Sequence, residues 1–163
     1  MTQKLFLLFS IGHDRYALPA SDVAVVLPLA RCKTVPGTPP WVAGLLSYGK
    51  RHVPVIDMSL LALGRAAEAR VSTRLVLAHY APAGRAPELL GLILEQATDT
   101  FRCDPQQFLA SGISNEEARY LGPVMRHQDG LLQWVSVAEL LDEPTRALLY
   151  PDDGAALAQE EGA

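Results

Sequence analysis

Residues 53–61 read VPVIDMSLL, in which a short apolar strand runs directly into the start of a helix. Asp57 is the predicted N-cap, because a short carboxylate at that position accepts hydrogen bonds from the first free N–H groups of a helix. We expect the helix over residues 58–63, ended by Gly64, which adopts a left-handed conformation easily. Pro54 cannot donate to a neighbouring strand, so this strand is predicted to lie at an edge or to be bulged there.

The same order of strand, cap and short helix recurs near the end of the chain, where residues 134–140 read WVSVAEL. Ser136 is the second cap, 79 positions after the first, and Glu139 completes a capping-box pattern. The repeat predicts two half-length units, residues 4–64 and 73–143. Several short strands in each unit indicate an all-β fold of two small barrels with short helices, because barrel closure removes exposed strand edges.

Turn residues divide the rest of the chain into short segments. Residues 36–40, PGTPP, form a rigid loop, and the Asp129-Gly130 pair is a hairpin signal. Asp104 is expected to cap a helical turn that starts at Pro105. Further predicted strands cover residues 4–11, 16–18, 23–29, 45–48, 73–79, 89–95, 97–102 and 122–126.

Composition and charge argue for a globular protein that does not bind nucleic acid. The chain has 163 residues, of which 49% are hydrophobic and 20% charged, with a formal net charge of -4. The densest basic run is only three residues long, Lys50-Arg51-His52. A protein that neutralises phosphates needs a broader basic face than this.

The sequence also favours a cytoplasmic location without direct insertion into a membrane. No apolar run approaches the roughly 20 residues that span a bilayer. The apolar N-terminal segment indicates a strand rather than a signal peptide. Cys32 and Cys103 match no zinc spacing, and two free thiols fit a reducing compartment. Residues 151–163 are small and acidic, and we expect them to be disordered.

A search for catalytic chemistry identifies no catalytic residue, metal site or cofactor. The four histidines are scattered and form no metal-binding motif. Ser47 lies outside the spacing of a nucleophile elbow, and Asp57 is better explained as a helix cap than as a general base. The alternative of a small-barrel enzyme, or of a ligand-binding domain of unknown substrate, has no supporting motif.

Several stretches, taken together and in order, resemble the CheW family. They are FSIG at 9–12, YALP at 16–19, VPGTP at 35–39, WVAG at 41–44, VPVID at 53–57, LGL at 90–92 and TD at 98–99. The similarity covers about residues 4–143, as one CheW-like domain. It implies two five-stranded SH3-like barrels related by a pseudo-two-fold axis.

The resemblance also implies a function. Members of the family are non-catalytic adaptors that couple methyl-accepting receptors to a CheA-type histidine kinase in chemosensory arrays. The receptor's helical hairpin tip lies in a groove between the barrels, and one barrel packs against the kinase. The expected location is therefore cytoplasmic, at receptor arrays that the protein reaches through its partners.

Two sets of residues are predicted to meet these partners. The groove that faces the receptor is expected to include Val23, Val25, Gly44, Ser47, Gly49, Lys50 and Arg51. Glycines would let a helical hairpin approach closely, and the two cations would meet acidic groups at its tip. The kinase is expected to contact apolar residues of an irregular, proline-interrupted stretch, namely Leu27, Leu29 and Val35.

The sequence departs from the family at the receptor-facing positions. Relatives usually carry Asn-x-Arg-Gly immediately before the VPVID strand, whereas residues 47–50 here read SYGK, which places Gly49 at the arginine position. Many relatives also carry Glu where this chain has Val25. These changes favour a specialised paralogue that serves a non-standard receptor, with Lys50 and Arg51 supplying the charge from neighbouring positions.

Overall fold

The computed structural model describes residues 2–82 and 86–151, so most of the predicted disordered tail lies outside the described residues. The two helices are α1 (Met58–Leu63) and α2 (Glu143–Leu149), and single 3-10 turns occur at Ala20–Asp22, Pro105–Gln107, Glu116–Ala118 and Val137–Glu139. The strands are β1 (Lys4–Ile11), β2 (Asp14–Pro19), β3 (Val23–Pro28), β4 (Val42–Tyr48), β5 (Arg51–Asp57), β6 (Arg74–Tyr80), β7 (Glu88–Cys103), β8 (Leu121–His127) and β9 (Gly130–Val135).

The strands form two five-stranded barrels that share β7. In barrel 1 the strand order is β7-β1-β2-β9-β8, and β7 contributes its second half. In barrel 2 the order is β3-β6-β7-β5-β4, and β7 contributes its first half. The described residues therefore have the two-barrel, all-β architecture that the sequence predicts.

A pseudo-two-fold relation links the barrels strand by strand. Each contains one parallel pair, β2 with β9 in barrel 1 and β7 with β5 in barrel 2, among antiparallel pairs. In each barrel one isolated bridge connects the last strand of the order given above with the chain segment that follows the first strand of that order. In barrel 2 this bridge joins Lys33 to Leu45, and in barrel 1 it joins Leu109 to Val124. The second bridge lies 76 to 79 positions after the first, close to the spacing of the sequence repeat.

The barrels are not the consecutive halves of the chain, residues 4–64 and 73–143, that the repeat predicts. Barrel 1 combines β1 and β2 with the last strands, and barrel 2 combines β3, β4 and β5 with β6 and the first half of β7. The repeat is present, but the first two strands of each half pair with the last strands of the other half. The exchange cannot be predicted from the local patterns that define the repeat, because it depends on pairing between strands that are far apart in the sequence.

Three apolar cores follow from this arrangement. Barrel 1 encloses a small core that includes Phe6 and Leu8, and barrel 2 encloses one that includes Val55 and Leu75. The largest cluster lies between the barrels, and Phe9 of β1 belongs to it. Alternate residues of β1 thus enter different cores, which explains its nearly continuous apolar sequence, KLFLLFSI.

β7 bends where it passes from one barrel to the other. Gln96 has a φ of 49°, a left-handed conformation that is unusual for a residue other than glycine. Its side-chain Oε1 accepts a hydrogen bond from the Ser10 hydroxyl at 2.7 Å. The Arg15 guanidinium donates to the Ser10 Oγ at 2.9 Å and to the Gln96 carbonyl at 3.2 Å. These bonds hold the bend in place.

The first predicted helix cap is confirmed and the predicted capping box is wrong. The Asp57 carboxylate accepts from the N–H groups of Ser59 and Leu60, and Gly64 ends α1 with a φ of 74°. Ser136, by contrast, makes no side-chain cap bond. The Glu139 carboxylate instead pairs with Arg119 at 3.2 Å, and the Ser136 N–H already donates to the Tyr120 carbonyl at 2.8 Å, outside the turn.

β5 has a single neighbouring strand at Pro54, as expected for an edge, and becomes an interior strand from Val55 onward. It pairs with β4 on one side and with β7 on the other. The pairing with β7 begins at Val55, one residue after the proline, and the pairing with β4 is regular at Pro54. The proline is tolerated because it lies before the part of the strand that has neighbours on both sides.

Candidate partner-binding surfaces

The tip of the β4–β5 hairpin, residues 47–52, presents an exposed basic turn. Tyr48 pairs with Arg51, and Gly49 and Lys50 form the two-residue loop. Gly49 has a φ of 59°, as the first loop residue of a type II′ turn requires, and a Cβ there would meet no atom within 4 Å. The loop is therefore accessible, and its glycine serves the turn geometry.

Charges around this hairpin tip are only partly paired. Arg51 lies 3.9 Å from the Glu88 carboxylate, and both side chains are about half exposed. Lys50 forms no ion pair with another described residue. Exposed pairs at this distance contribute little to stability, so both cations are accessible to a partner. The sequence analysis did not identify Glu88, which comes from the start of another strand.

The last described residues anchor α2 next to this tip. The Tyr150 hydroxyl donates to the Leu89 carbonyl at 2.7 Å, and its ring stacks on Tyr80 with centroids 5.4 Å apart. Burial raises the pKa of Tyr150, the Glu88 carboxylate and Tyr80 raise it further, and Arg51 acts in the opposite direction. The Tyr150 side chain at the end of α2 is therefore close to Glu88 and to Arg51 of the tip.

Gly44 allows the chain at Lys33 to pack closely against β4 and close barrel 2. The sequence analysis expects it instead to allow the close approach of a receptor helix. It is buried, with a φ of 137°. A Cβ at this position would lie 2.0 Å from the Lys33 carbonyl oxygen, at the bridge that closes the barrel. The space that this glycine leaves is filled by the chain itself.

The remaining predicted receptor residues point inward. Val25 packs against the core of barrel 2, and Val23 packs against the cluster between the barrels. Of the seven predicted residues, the structure brings four together at the hairpin tip: Ser47, Gly49, Lys50 and Arg51. The alternation of β3 explains the inward position of the two valines.

The same alternation turns Leu27 and Leu29 toward barrel 2, where they are partly buried rather than free for the kinase contact that the sequence analysis expects. Both pack against the buried cluster there, whereas Val26 between them is 44% exposed. Val35 is half-buried in the following loop, where its carbonyl accepts from the Thr38 hydroxyl at 2.7 Å. The outward face of this segment is therefore formed by Val26 rather than by the leucines.

A second exposed apolar surface lies on barrel 1 and was not identified from the sequence. Ile113, Leu109 and Leu131 are 81%, 68% and 61% exposed. The first and the last of them line a groove of about 920 Å³ between the 111–119 segment and β8 and β9. Two exposed apolar side chains of barrel 1 therefore lie in one groove. Each comes from a different local segment, so no single sequence pattern reveals the surface.

A smaller cleft of about 300 Å³ lies between the barrels. Lys4, Asp22, His79 and Trp134 are among its lining residues, and none of them belongs to a predicted partner set. Burial raises the pKa of Asp22, which Lys4 and His79 partly oppose. The Lys4 ammonium lies 5.8 Å from the centre of the Trp134 ring. This cleft and the basic hairpin tip are separate features.

Two searches for other kinds of site were negative within residues 2–82 and 86–151. No group of three or more His, Cys, Asp or Glu side chains there could hold a metal ion. In the same described part of the chain, no helix is long and apolar enough to cross a membrane.

The described residues form a paired-barrel domain with an exposed basic hairpin tip and exposed apolar side chains. The chain belongs to the family of the CheW-like domain, whose family model matches residues 5–145. The crystal structure of the scaffolding protein TtCheW from Thermoanaerobacter tengcongensis has a similar fold, with a TM-score of 0.76 at 17% sequence identity. The match covers 89% of this chain and 92% of that chain. No curated protein matches the sequence.

Proposed function

We propose that this chain is a non-catalytic scaffold that couples methyl-accepting receptors to a CheA-type histidine kinase. The observation that carries the proposal is the CheW-like domain, which accounts for residues 5–145 and thus for nearly all of the chain. The fold resembles that of a protein described as a scaffold. The protein would act in the cytoplasm, held at membrane receptor arrays by its partners.

The receptor contacts the hairpin tip in this proposal. Ser47, Gly49, Lys50 and Arg51 are exposed side by side, and two of them are cations with little or no internal pairing. A helical hairpin with acidic groups at its tip is complementary to this surface in shape and in charge. Val23, Val25 and Gly44 would support the surface from within the barrel.

The kinase contacts the outward face of β3 and the loop that follows it. Val26 and the half-buried Val35 supply the apolar contacts, and Leu27 and Leu29 hold the strand against the core of barrel 2. β3 stands at one end of the strand order of barrel 2, so its outer edge offers backbone N–H and C=O groups to a partner beside the exposed Val26 side chain.

The test is a double charge reversal, Lys50→Glu with Arg51→Glu, measured against receptor and kinase separately. We expect receptor binding to weaken about tenfold or more at low salt and less at high salt, because rim charges act mainly through screened attraction. Kinase binding should be unchanged. The matched control is Arg102→Glu with Arg126→Glu, two exposed arginines of barrel 1. Equal effects of the two double variants, or unchanged receptor binding at low salt, would refute the assignment.

A further inference from the structure

The chain leaves the described structure beside the basic hairpin tip. Tyr150 is held by its hydroxyl bond to Leu89 and by its stacking on Tyr80, so its position is fixed by barrel 2. Arg51 and Glu88 are near enough to the Tyr150 hydroxyl to act on it electrostatically. The chain beyond residue 151 is therefore attached to barrel 2 near Glu88 and Arg51.

The sequence that follows is complementary in charge. Residues 152–163 read DDGAALAQEEGA, with Asp152, Asp153, Glu160 and Glu161 and no lysine or arginine. The two aspartates come two and three positions after Tyr150, a reach of roughly 7 to 10 Å at about 3.3 Å per residue. Twelve residues could extend about 40 Å, enough to place the glutamates at the tip as well.

We propose that the acidic segment 152–163 docks on the hairpin tip formed by residues 47–52 and competes there with an acidic partner. The contact is intramolecular, so its effective concentration is in the millimolar range for a short connection. Attachment to the same chain therefore spares the segment much of the association cost that a separate acidic peptide incurs. The competition rests on the proposed receptor contact, whereas the docking itself does not.

Neighbouring charges make the tip the favoured site for this segment. Glu88 offsets part of the charge on Arg51, but the pair is long and exposed, and Lys50 is left without an ion pair among the described residues. Arg146, one helical turn before Tyr150, is the rival cation closest to the segment in sequence. It lies on the α2 side of Tyr150, and contact with it would leave the tip unaffected.

The docking is tested in the isolated, full-length protein without any partner. The variant Asp152→Asn, Asp153→Asn, Glu160→Gln, Glu161→Gln removes the charge and preserves the size of the side chains. We expect the NMR amide signals of Gly49, Lys50 and Arg51 to shift relative to the wild type at about 0.01 M salt. At about 1 M, where the Debye length is about 3 Å, the difference should vanish.

Two further variants separate the tip from its rival. In a background of Lys50→Glu with Arg51→Glu, neutralising the tail should no longer shift the remaining tip signals, whereas in the control background of Arg102→Glu with Arg126→Glu it still should. Tip signals that do not respond to tail neutralisation at low salt would overturn the proposal. A response confined to Arg146 and its neighbours would do the same.

Competition is measured next, with a receptor hairpin fragment as the probe. Tail neutralisation should tighten binding about two- to fivefold at low salt, as expected for the loss of one or two exposed ion pairs. If the tip signals respond and receptor affinity does not, docking stands and the receptor assignment fails. If receptor binding depends on the tip but tail neutralisation does not shift the NMR signals of the tip, the receptor assignment stands and the docking proposal fails.

Discussion

Asp57 satisfies more backbone groups than a helix cap normally does. One carboxylate oxygen accepts from Ser59 at 3.0 Å and from Leu60 at 3.2 Å. The other accepts from the N–H of Ala67 at 3.0 Å, in the segment that connects the helix to β6. The side chain is almost fully buried, so this one residue fixes both the start of α1 and the return of the chain.

The change Asp57→Ala should therefore cost more than an ordinary cap. We expect the free energy of unfolding to fall by about 2 to 4 kcal/mol. The variant loses the usual cap bonds to Ser59 and Leu60, and it also leaves the N–H of Ala67 without its partner. Asp104→Ala is the matched control, since that carboxylate accepts a single exposed bond from Gln106 at 2.9 Å. It should cost under about 1 kcal/mol. Urea unfolding monitored by circular dichroism measures both, and equal losses would contradict the explanation.

The two hairpin loops differ at equivalent residues. Gly49 has a φ of 59° and Gln128, 79 positions later, has a φ of 52°. Gly49→Ala should destabilise the protein by about 1 kcal/mol, and Gln128→Gly should stabilise it by a few tenths of that, because left-handed backbone disfavours any side chain. Thermal unfolding of the two variants provides the measurement. A destabilising Gln128→Gly would show that the glutamine side chain compensates for its backbone strain.

At the scale of the element, β3 is the strand whose orientation matters most for function. Inward and outward residues alternate along it and just beyond its end, so the partly buried Leu29 packs against the core of barrel 2 and Val26 lies at the surface. Leu29→Glu should cost about 1 to 3 kcal/mol, because it places a charge against an apolar cluster without a partner. Val26→Glu should leave the free energy of unfolding within about 0.5 kcal/mol.

The same pair of variants tests the kinase contact. Val26→Glu, which is expected to fold normally, should weaken kinase binding and leave receptor binding intact. Isothermal titration with the purified kinase measures the first effect, and denaturant unfolding confirms that the variant is folded. If Val26→Glu binds the kinase as well as the wild type does, the outward face of β3 is not the kinase surface.

β7 shows where local patterns lose information. Residues 89–95 and 97–102 read as two strands because polar residues interrupt the apolar pattern near residue 96. They form one 16-residue strand, and the interruption is the bend at Gln96. A left-handed glutamine carries no sequence signal, and the bonds from Ser10 and Arg15 that stabilise it come from more than 80 positions away.

For the whole molecule, the cluster between the barrels is the largest source of apolar burial. Phe9→Ala removes a side chain that is 1% exposed there and should cost about 3 to 5 kcal/mol. Because the barrels share this cluster and a strand, we expect both to unfold in one transition. Hydrogen exchange of the β9 amides reports on barrel 1 and that of the β6 amides on barrel 2. The amides of both strands should lose protection equally in the variant. Val71→Ala, at a residue that is 89% exposed, is the control.

An unequal loss of protection in Phe9→Ala would contradict the single cooperative unit. In that case amides of β9 would exchange rapidly while those of β6 stayed protected, as expected for two domains that fold separately. Exchange rates measured at several denaturant concentrations distinguish the two outcomes.

Sequence reasoning succeeded where the cause is local and failed where it is distant. The cap at Asp57, the stop at Gly64 and the exposed loop at Gly49 follow from neighbouring residues, and all are present in the structure. The family resemblance supplied the barrel count and the pseudo-two-fold axis. The strand exchange, the inward position of Leu27 and the apolar surface around Ile113 depend on contacts between remote segments.

The shared strands also determine when the protein can fold during its synthesis. β1 and β2 leave the ribosome before the other strands of the domain, yet β9, the partner of β2, ends at Val135, more than 100 residues later. Until then the apolar faces of both early strands lack their native cover, and barrel 2 can be completed before barrel 1. The nascent chain is therefore open to aggregation until β9 has emerged, and slow decoding of the codons before Val135 would prolong that exposure.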